Sequence, residues 1–248
     1  MWRIFSSYND RTARWAYQGL STLGLRPLHF VSTESLVNTR VWEHRVGVDG
    51  TSIRITLPTG DTVSSSDIKG VLNRISAPAL AHIKHAVKAD GDYANSELTA
   101  FYLSWLHSLP CRVLNRATPQ GLCGRWRHNS EWVALAAATG FPVLPYRQSC
   151  QDAEGRGYEP LMPSDQQGKS VIVLNGKLFG AEVTQQIERS CIRLAEMAGM
   201  DSMGITLAAM PKGTHVFAGA SMMPLLELGG TPLLEHLLQT FGTSGGAL

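Results

Sequence analysis

An α/β protein is what this chain predicts, with a parallel-sheet N-terminal part and an α+β C-terminal part. Three observations carry the expectation. An apolar strand at 3–7, a helical pattern at 12–23 and a strand at 27–32 make a strand–helix–strand unit, and that spacing implies parallel pairing. Farther on, strands at 171–174 and 178–183 flank Asn175-Gly176 and lead into an amphipathic helix at 184–200. Between these parts, over 147–169, periodicity collapses into glycine, proline and charge, as at a boundary or a loop. The expected division is therefore 1–146, 147–170 and 171–248.

Each element has a local reason. The polar Asn9-Asp10 break precedes the first helix, where Trp15, Leu20 and Leu23 are spaced to pack inward and Gly24 can close it. The turn before it, Ser6-Ser7-Tyr8-Asn9-Asp10, lacks the glycine-rich dinucleotide fingerprint. Residues 42–48 and 52–57 alternate polar and apolar about Asp49-Gly50, a strong hairpin signal, and 58–61 end the pair. A buried strand is expected at 68–75 and a weak helix at 79–87. A firmer helix at 94–109 carries Leu98, Phe101, Tyr102, Trp105 and Leu109 on one side. A strand at 112–115, a helix at 131–138 and a short strand at 142–145 follow. In the helix at 184–200, Ile187, Cys191, Leu194 and Ala195 share a face, and Gly199 can cap it. Two strands around Pro211-Lys212-Gly213 and a helix at 233–241 close the chain, before a frayed tail.

Composition narrows the function. With 248 residues, 44% hydrophobic and 17% charged, the chain suits one large domain or two small ones. A formal charge of +2 with no Lys/Arg block argues against a nucleic-acid partner. No signal peptide is visible and no apolar run approaches the roughly 20 residues of a membrane span, so a cytoplasmic protein is expected. Cys111, Cys123, Cys150 and Cys191 are scattered without a Cys-x-x-Cys pair, which favours reduced structural thiols over a zinc or redox site. His82 and His85, with His107 farther on, have no acid at useful spacing, and no metal is expected. There is no Gly-x-Ser-x-Gly elbow.

Two clusters are candidates for binding. The triplet Val-Leu-Asn recurs at 71–73, 113–115 and 173–175, and the first two are followed by Arg74 and Arg116. Parallel sheets place ligands at the carboxyl ends of strands, so Asn73, Arg74, Asn115 and Arg116 could bind an extended backbone or a terminal carboxylate. Turn chemistry and surface ion pairs are the plainer reading. In Arg125-Trp126-Arg127-His128, bidentate arginine contacts could clamp an acidic peptide. The plainer reading there is a solvated loop over one tucked tryptophan. Methionines crowd the last third; most suit a core, while Met222 and Met223 fall in a loop.

Longer stretches carry a resemblance. The run from Gly204 through Pro211-Lys212-Gly213 to Pro224 resembles the closing strands of ATP-grasp carboxylate–amine ligases. Gly70-Val71-Leu72-Asn73-Arg74-Ile75-Ser76, Val113-Leu114-Asn115-Arg116 with Gly121-Leu122-Cys123-Gly124-Arg125-Trp126, and the run Trp132 to Pro142 resemble, in order, motifs of the peptide-modifying members. The resemblance implies a pre-ATP-grasp-like parallel-sheet domain and the C-terminal half of an ATP-grasp fold. Two departures stand out. Aligned by Pro224, the family's metal-binding acid and amide fall on Gly219 and Ser221, whereas magnesium wants hard, chiefly carboxylate oxygens. The stretch between Tyr146 and Val171 is too short for the central subdomain with its ATP-binding lysines and flap.

A truncated protein of this kind is similar to the non-catalytic peptide-binding proteins of ribosomal-peptide (crocagin-type) biosynthesis. That resemblance implies no catalysis and no cofactor. It implies a precursor peptide as partner, passed on to tailoring enzymes; from the two clusters above, Arg74, Arg116, Arg125, Trp126 and Arg127 are the residues expected to bind it. The peptide is expected in extended form, at a sheet edge or in the cleft between the two halves. An ATP-dependent ligase with a degenerate metal site and a scaffolding subunit are the alternatives. A homodimer is expected, because the family is often dimeric and the helix at 94–109 carries more aromatic surface than one small sheet need cover.

Overall fold

The computed structural model describes residues 1–48, 50–79, 88–144, 146, 168–210 and 214–242. Two compact units result. One is Met1–Trp126 with Leu234–Leu248, and the other is Arg127–Leu233. The division thus falls before the helix at 131–138 rather than after Tyr146, because Trp132 and Ala136 of that helix pack into the core of the second unit. The chain end counts with the first unit, where Phe241 stacks on Trp2 at 5.0 Å.

The first unit opens with β1 (Trp2–Ser6), α1 (Arg11–Thr22), β2 (Leu28–Ser32) and α2 (Thr33–Val37). It continues with β3 (Val41–Gly47), β4 (Gly50–Thr56), β5 (Thr62–Ser64), β6 (Gly70–Asn73), α3 (Lys88–His107) and β7 (Arg112–Leu114). Four strands form a sheet in the order β2-β1-β6-β7, every pair parallel, as the strand–helix–strand spacing requires. Ile4, opposite Leu72, and Phe5, opposite Asn73, are fully buried in its centre. Gly70 is forced by packing: a Cβ there would lie 2.4 Å from the Trp2 ring.

A second sheet in this unit is antiparallel, in the order β3-β4-β5. α3 packs on it. Trp42 meets Phe101, Tyr102 and Trp105 at 5.0, 5.2 and 5.6 Å, and Trp105 reaches across to Phe5 at 5.2 Å. The aromatic side of α3 is therefore spent inside this unit, and the surface argument for a homodimer through that helix falls away. α2 and β5 carry no periodic signal because each is so short. α2 is set by a cap, the Ser32 hydroxyl accepting the Ser35 N–H at 3.0 Å. Of the weak helix expected at 79–87, residues 80–87 lie outside the described residues, as do His82 and His85.

The second unit holds α4 (Asn129–Ala138), β8 (Lys169–Leu174), β9 (Lys177–Gly180), α5 (Gln185–Ala198), β10 (Ser202–Ala209) and β11 (His215–Ser221). A last helix, α6 (Gly230–Gly242), leads out of it. Its sheet is antiparallel, in the order β11-β10-β8-β9. Asn175 and Gly176 turn the β8–β9 hairpin with φ of 45° and 74°, the left-handed pair that a two-residue turn demands. α5 has both expected ends: the Thr184 side chain caps the Ile187 N–H, and Gly199 closes it at φ 64°. Ile187, Cys191 and Leu194 go into the core against Val171, Val173, Met203, Ile205 and Leu207. Burying each large aliphatic side chain is worth about 1.5–3 kcal/mol. Burial pushes the Cys191 thiol up to about 12, as suits a structural cysteine. No helix among the described residues is long and apolar enough to cross a membrane.

Candidate functional site

Four sequence candidates, Asn73, Arg74, Asn115 and Arg116, lie at or just past the carboxyl ends of β6 and β7 in the parallel sheet. Asn73 is buried, and its amide donates to the carbonyls of Asn115 at 3.2 Å and Leu122 at 2.6 Å while its Oδ1 accepts the Ile75 N–H at 3.2 Å. It ties β6 to the segment after β7 instead of facing a ligand. Asn115 is buried with φ 54°, the left-handed turn that ends β7.

Arg74 is also occupied. Its Nε donates to Asp10 Oδ2 at 2.7 Å, with side-chain exposures of only 6% and 11%. Asp10 in turn caps α1 by accepting the Ala13 N–H at 3.0 Å and receives the Ser6 hydroxyl at 2.8 Å. Burial alone would raise the Asp10 carboxyl. Hydrogen bonds from Arg74, Ala13 and Ser6, together with the Arg74 charge, outweigh it and hold the group below its ordinary value. Arg116 folds back on the end of α3, its Nη1 donating at 2.9 Å to the carbonyls of His107 and Leu109 and its Nη2 to that of Cys111. The orphan carbonyls of a helix end attract a cation. The side chains of Arg74 and Arg116 thus hold the fold at the place where a peptide contact was expected. The residue sequence reasoning missed is Asp10, read only as a polar break. Its signal was an aspartate one residue before a helix start.

The segment after β7 is different. Thr118 and Gly121 exchange two backbone hydrogen bonds of 2.9 Å, and Gly124 turns the chain with φ 92°. A Cβ on Gly121 would lie 2.6 Å from the Gly124 carbonyl oxygen, so the loop closes only on glycine. This compact loop carries Arg125 and Trp126 outward: Arg125 is exposed and Trp126 is 57% exposed. Beyond it Arg127 turns inward, is buried, and lies over the Trp132 ring with 5.2 Å to the centroid. His128 caps α4 through Nδ1, which accepts the Ser130 N–H. Of the expected clamp, then, Arg125 and Trp126 face solvent, and Arg127 belongs to the packing of the second unit.

The closing hairpin holds the third candidate. β10 and β11 pair antiparallel with Thr206 opposite Gly219 and Gly204 opposite Ser221, after a bulge between Thr206 and Leu207. Phe217 and Ala220 pack with the core, whereas Thr206 and Ser221 are exposed. A Cβ on Gly219 would meet nothing within 4 Å, so the position has room for a longer side chain and lacks only the chemistry. The Ser221 hydroxyl accepts the Met223 N–H at 3.1 Å, which bends the chain toward Pro224. Pro224 lies over Gly204, where a Cβ would come within 3.2 Å of it. Met200 and Met203 are buried in the core and Met222 packs at its margin. Among the described residues no three His, Cys, Asp or Glu side chains group as a metal site.

A mixed chain of this kind, with a parallel β2-β1-β6-β7 sheet and an antiparallel sheet ending in such a hairpin, has an ATP-grasp-like fold. Solved structures bear this out. The macrocyclase MdnC bound with precursor peptide MdnA, from Microcystis aeruginosa MRC, aligns over 98% of this chain and 100% of its own with TM-score 0.73 at 10% identity. The macrocyclase MdnB of the same organism aligns over 99% and 100% with TM-score 0.70 at 12% identity. The Chryseobacterium gregarium RiPP-associated ATP-grasp ligase, in complex with ADP and a leader and core peptide, aligns over 99% and 97% with TM-score 0.73 at 10% identity. At such identities the likeness is one of fold. No family model and no curated relative matches the chain. The stretch where the central subdomain was expected to be missing, between 146 and 171, lies mostly outside the described residues.

Proposed function

We propose that this chain is a non-catalytic peptide-binding protein that binds a ribosomal precursor peptide and assists its modification by tailoring enzymes. The observation that carries the reading is the closing hairpin. Where the resemblance expects a carboxylate and an amide to hold magnesium, β11 has Gly219 and Ser221. Glycine offers no ligand and a neutral hydroxyl is a weak one for a hard cation. Support for the peptide comes from neighbours of the same fold: of the three named above, MdnC is bound with a precursor peptide and the Chryseobacterium gregarium ligase is in complex with a leader and core peptide. Calorimetric titration with ATP and magnesium is the test. No binding is expected, and a magnesium-dependent micromolar dissociation constant would overturn the reading.

The second reading is an active ATP-dependent ligase. One observation favours it: the structural neighbours are macrocyclases and a ligase. The same titration separates the two. For the peptide itself, the exposed Arg125 and Trp126 are the contacts to test. Contacts to a charged group contribute roughly 1.5–3 kcal/mol when partly desolvated, and roughly 1.4 kcal/mol is a factor of ten. Replacing Arg125 and Trp126 by alanine should therefore weaken a labelled precursor peptide about tenfold or more in an anisotropy titration at moderate salt. Arg127→Ala should instead lower the unfolding midpoint, because the buried guanidinium packs on Trp132. Unchanged affinity in the double variant would remove this loop from the peptide site.

A further inference from the structure

α1 ends beside a small pocket in the first unit. Tyr17 and Ser21, one turn apart on the helix, line it with Leu25, Arg26, Pro27 and Leu28. Its volume is about 410 Å³, within the roughly 300–1,000 Å³ of small-molecule sites. Backbone geometry sets its shape. Gly24 turns the chain with φ 87°, and the Leu25 N–H donates back to the Leu20 carbonyl at 3.0 Å. The Trp2 N–H donates to the Pro27 carbonyl at 2.9 Å, which ties the segment to β1. Leu28 opens β2, the outer strand of the parallel sheet, and Phe30 on the same face meets the Tyr17 ring edge-on at 6.1 Å. The walls are therefore preformed and largely apolar.

The polar groups at this pocket are unengaged. Among the described residues the Arg26 guanidinium and the Tyr17 and Ser21 hydroxyls have no hydrogen-bond or ion-pair partner. Arg116 shows what an arginine near a helix end otherwise does, bonding orphan carbonyls. At the end of α1 those carbonyls are already taken. The Thr22 hydroxyl donates to that of Gln18 at 3.0 Å, and the Leu23, Leu25 and Gly24 N–H groups donate to those of Gly19, Leu20 and Ser21 at 2.9, 3.0 and 3.2 Å. No acid stands close in sequence either, since residues 11–33 include no Asp or Glu. A cation and two hydroxyls thus border an apolar hollow with nothing of the fold to bind.

We propose that this pocket binds a small aromatic carboxylate, its ring against Tyr17 and the leucines and its carboxylate held by Arg26 and the hydroxyls. A guanidinium is a planar fork that matches a carboxylate, and charge-assisted bonds of this kind are the strong ones. A phosphate fits less well, because the pocket lies at the C-terminal, negative end of the α1 dipole and offers a single guanidinium. An amine is repelled by Arg26. A ring suits a preformed hollow better than a flexible chain does: it loses little freedom on binding and can pack on Tyr17 by edge or face. The site is separate from the peptide candidates. It precedes β2, whereas Asn73 ends β6 and Asn115 follows β7, and in a parallel sheet these are opposite ends.

Amide nuclear magnetic resonance of the full chain tests this, with phenylacetate as the probe. Shifts should centre on residues 17–28 and saturate with a dissociation constant of about 1 mM or below. Phenylacetamide has the same shape without the charge and should bind at least about tenfold more weakly. Arg26→Gln should erase that difference by weakening phenylacetate alone. Arg26 is exposed, so this variant should keep the wild-type spectrum away from the pocket. Ser21→Phe fills the hollow and should abolish binding of both probes. The proposal is overturned if phenylacetate gives no saturable shifts around the pocket, if the wild type binds both probes equally, if Arg26→Gln keeps the preference, or if Ser21→Phe still binds. N-acetylphenylalanine, which mimics the end of a chain, should bind no tighter than phenylacetate. Tighter binding would assign the pocket to a peptide terminus and overturn the proposal too. No precursor peptide enters the measurement, so its outcome is independent of the peptide reading.

Discussion

Arg74→Ala should cost the first unit about 3–5 kcal/mol, the usual loss when one partner of a buried ion pair is removed. The cost follows from what is left behind. Asp10 would keep its buried carboxylate, its cap on Ala13 and its bond from Ser6, but lose the only basic side chain that pairs with it among the described residues. Asp10→Asn should also be costly, since it keeps an oxygen for the α1 cap but removes the carboxylate charge that faces the buried Arg74 guanidinium. The sign with pH is fixed by the direction of the shift. The folded Asp10 carboxyl titrates below its unfolded value of about 3.9, so its contribution is present above that pH and fades as pH falls through the folded value. Urea unfolding should therefore show a wide gap between wild type and Arg74→Ala at pH 7 that narrows at pH 3. A gap of equal size at both pH values would mean that the guanidinium acts by packing alone.

This pair also shows where the sequence was legible. The strand–helix–strand unit, both Asn/Asp-Gly hairpins and the helix at 184–200 announce themselves through local spacing, and the structure has all of them. Local reasoning also saw that Asn115 and Asn175 end strands, and both take left-handed φ there. It could not see what Arg74 does, because its partner lies 64 residues back. An arginine after a buried strand reads the same whether it awaits a ligand or already holds Asp10. Arg116 is opaque for a related reason: its partners are main-chain carbonyls at the end of α3, which carry no side-chain signature. Arg125 and Arg127 are two positions apart with the same chemistry, yet one is exposed and the other buried over Trp132. Only the close turn at Gly121 and Gly124 separates them.

Trp105→Ala should be the other severe change, at about 3–5 kcal/mol, in the range for deleting a buried large aromatic. Trp105 is fully buried and joins both sheets of the first unit, meeting Phe5 at 5.2 Å, Trp42 at 5.6 Å and Tyr102 at 5.9 Å. Deleting it opens a cavity that three rings of different elements cannot all move to fill. Trp105→Phe should be much milder. It keeps an edge for those rings, and it removes an indole N–H that has no acceptor among the described residues, a burial that itself costs about 1–3 kcal/mol. Denaturant midpoints for the two variants measure the contrast. Hydrogen exchange should add a local readout. Trp42 is the β3 residue held by Trp105, so amides of Val41–Gly47 should exchange faster in the alanine variant than in the phenylalanine variant. If phenylalanine proved as costly as alanine, the indole N–H would have to be satisfied in solution and the volume argument alone would fail.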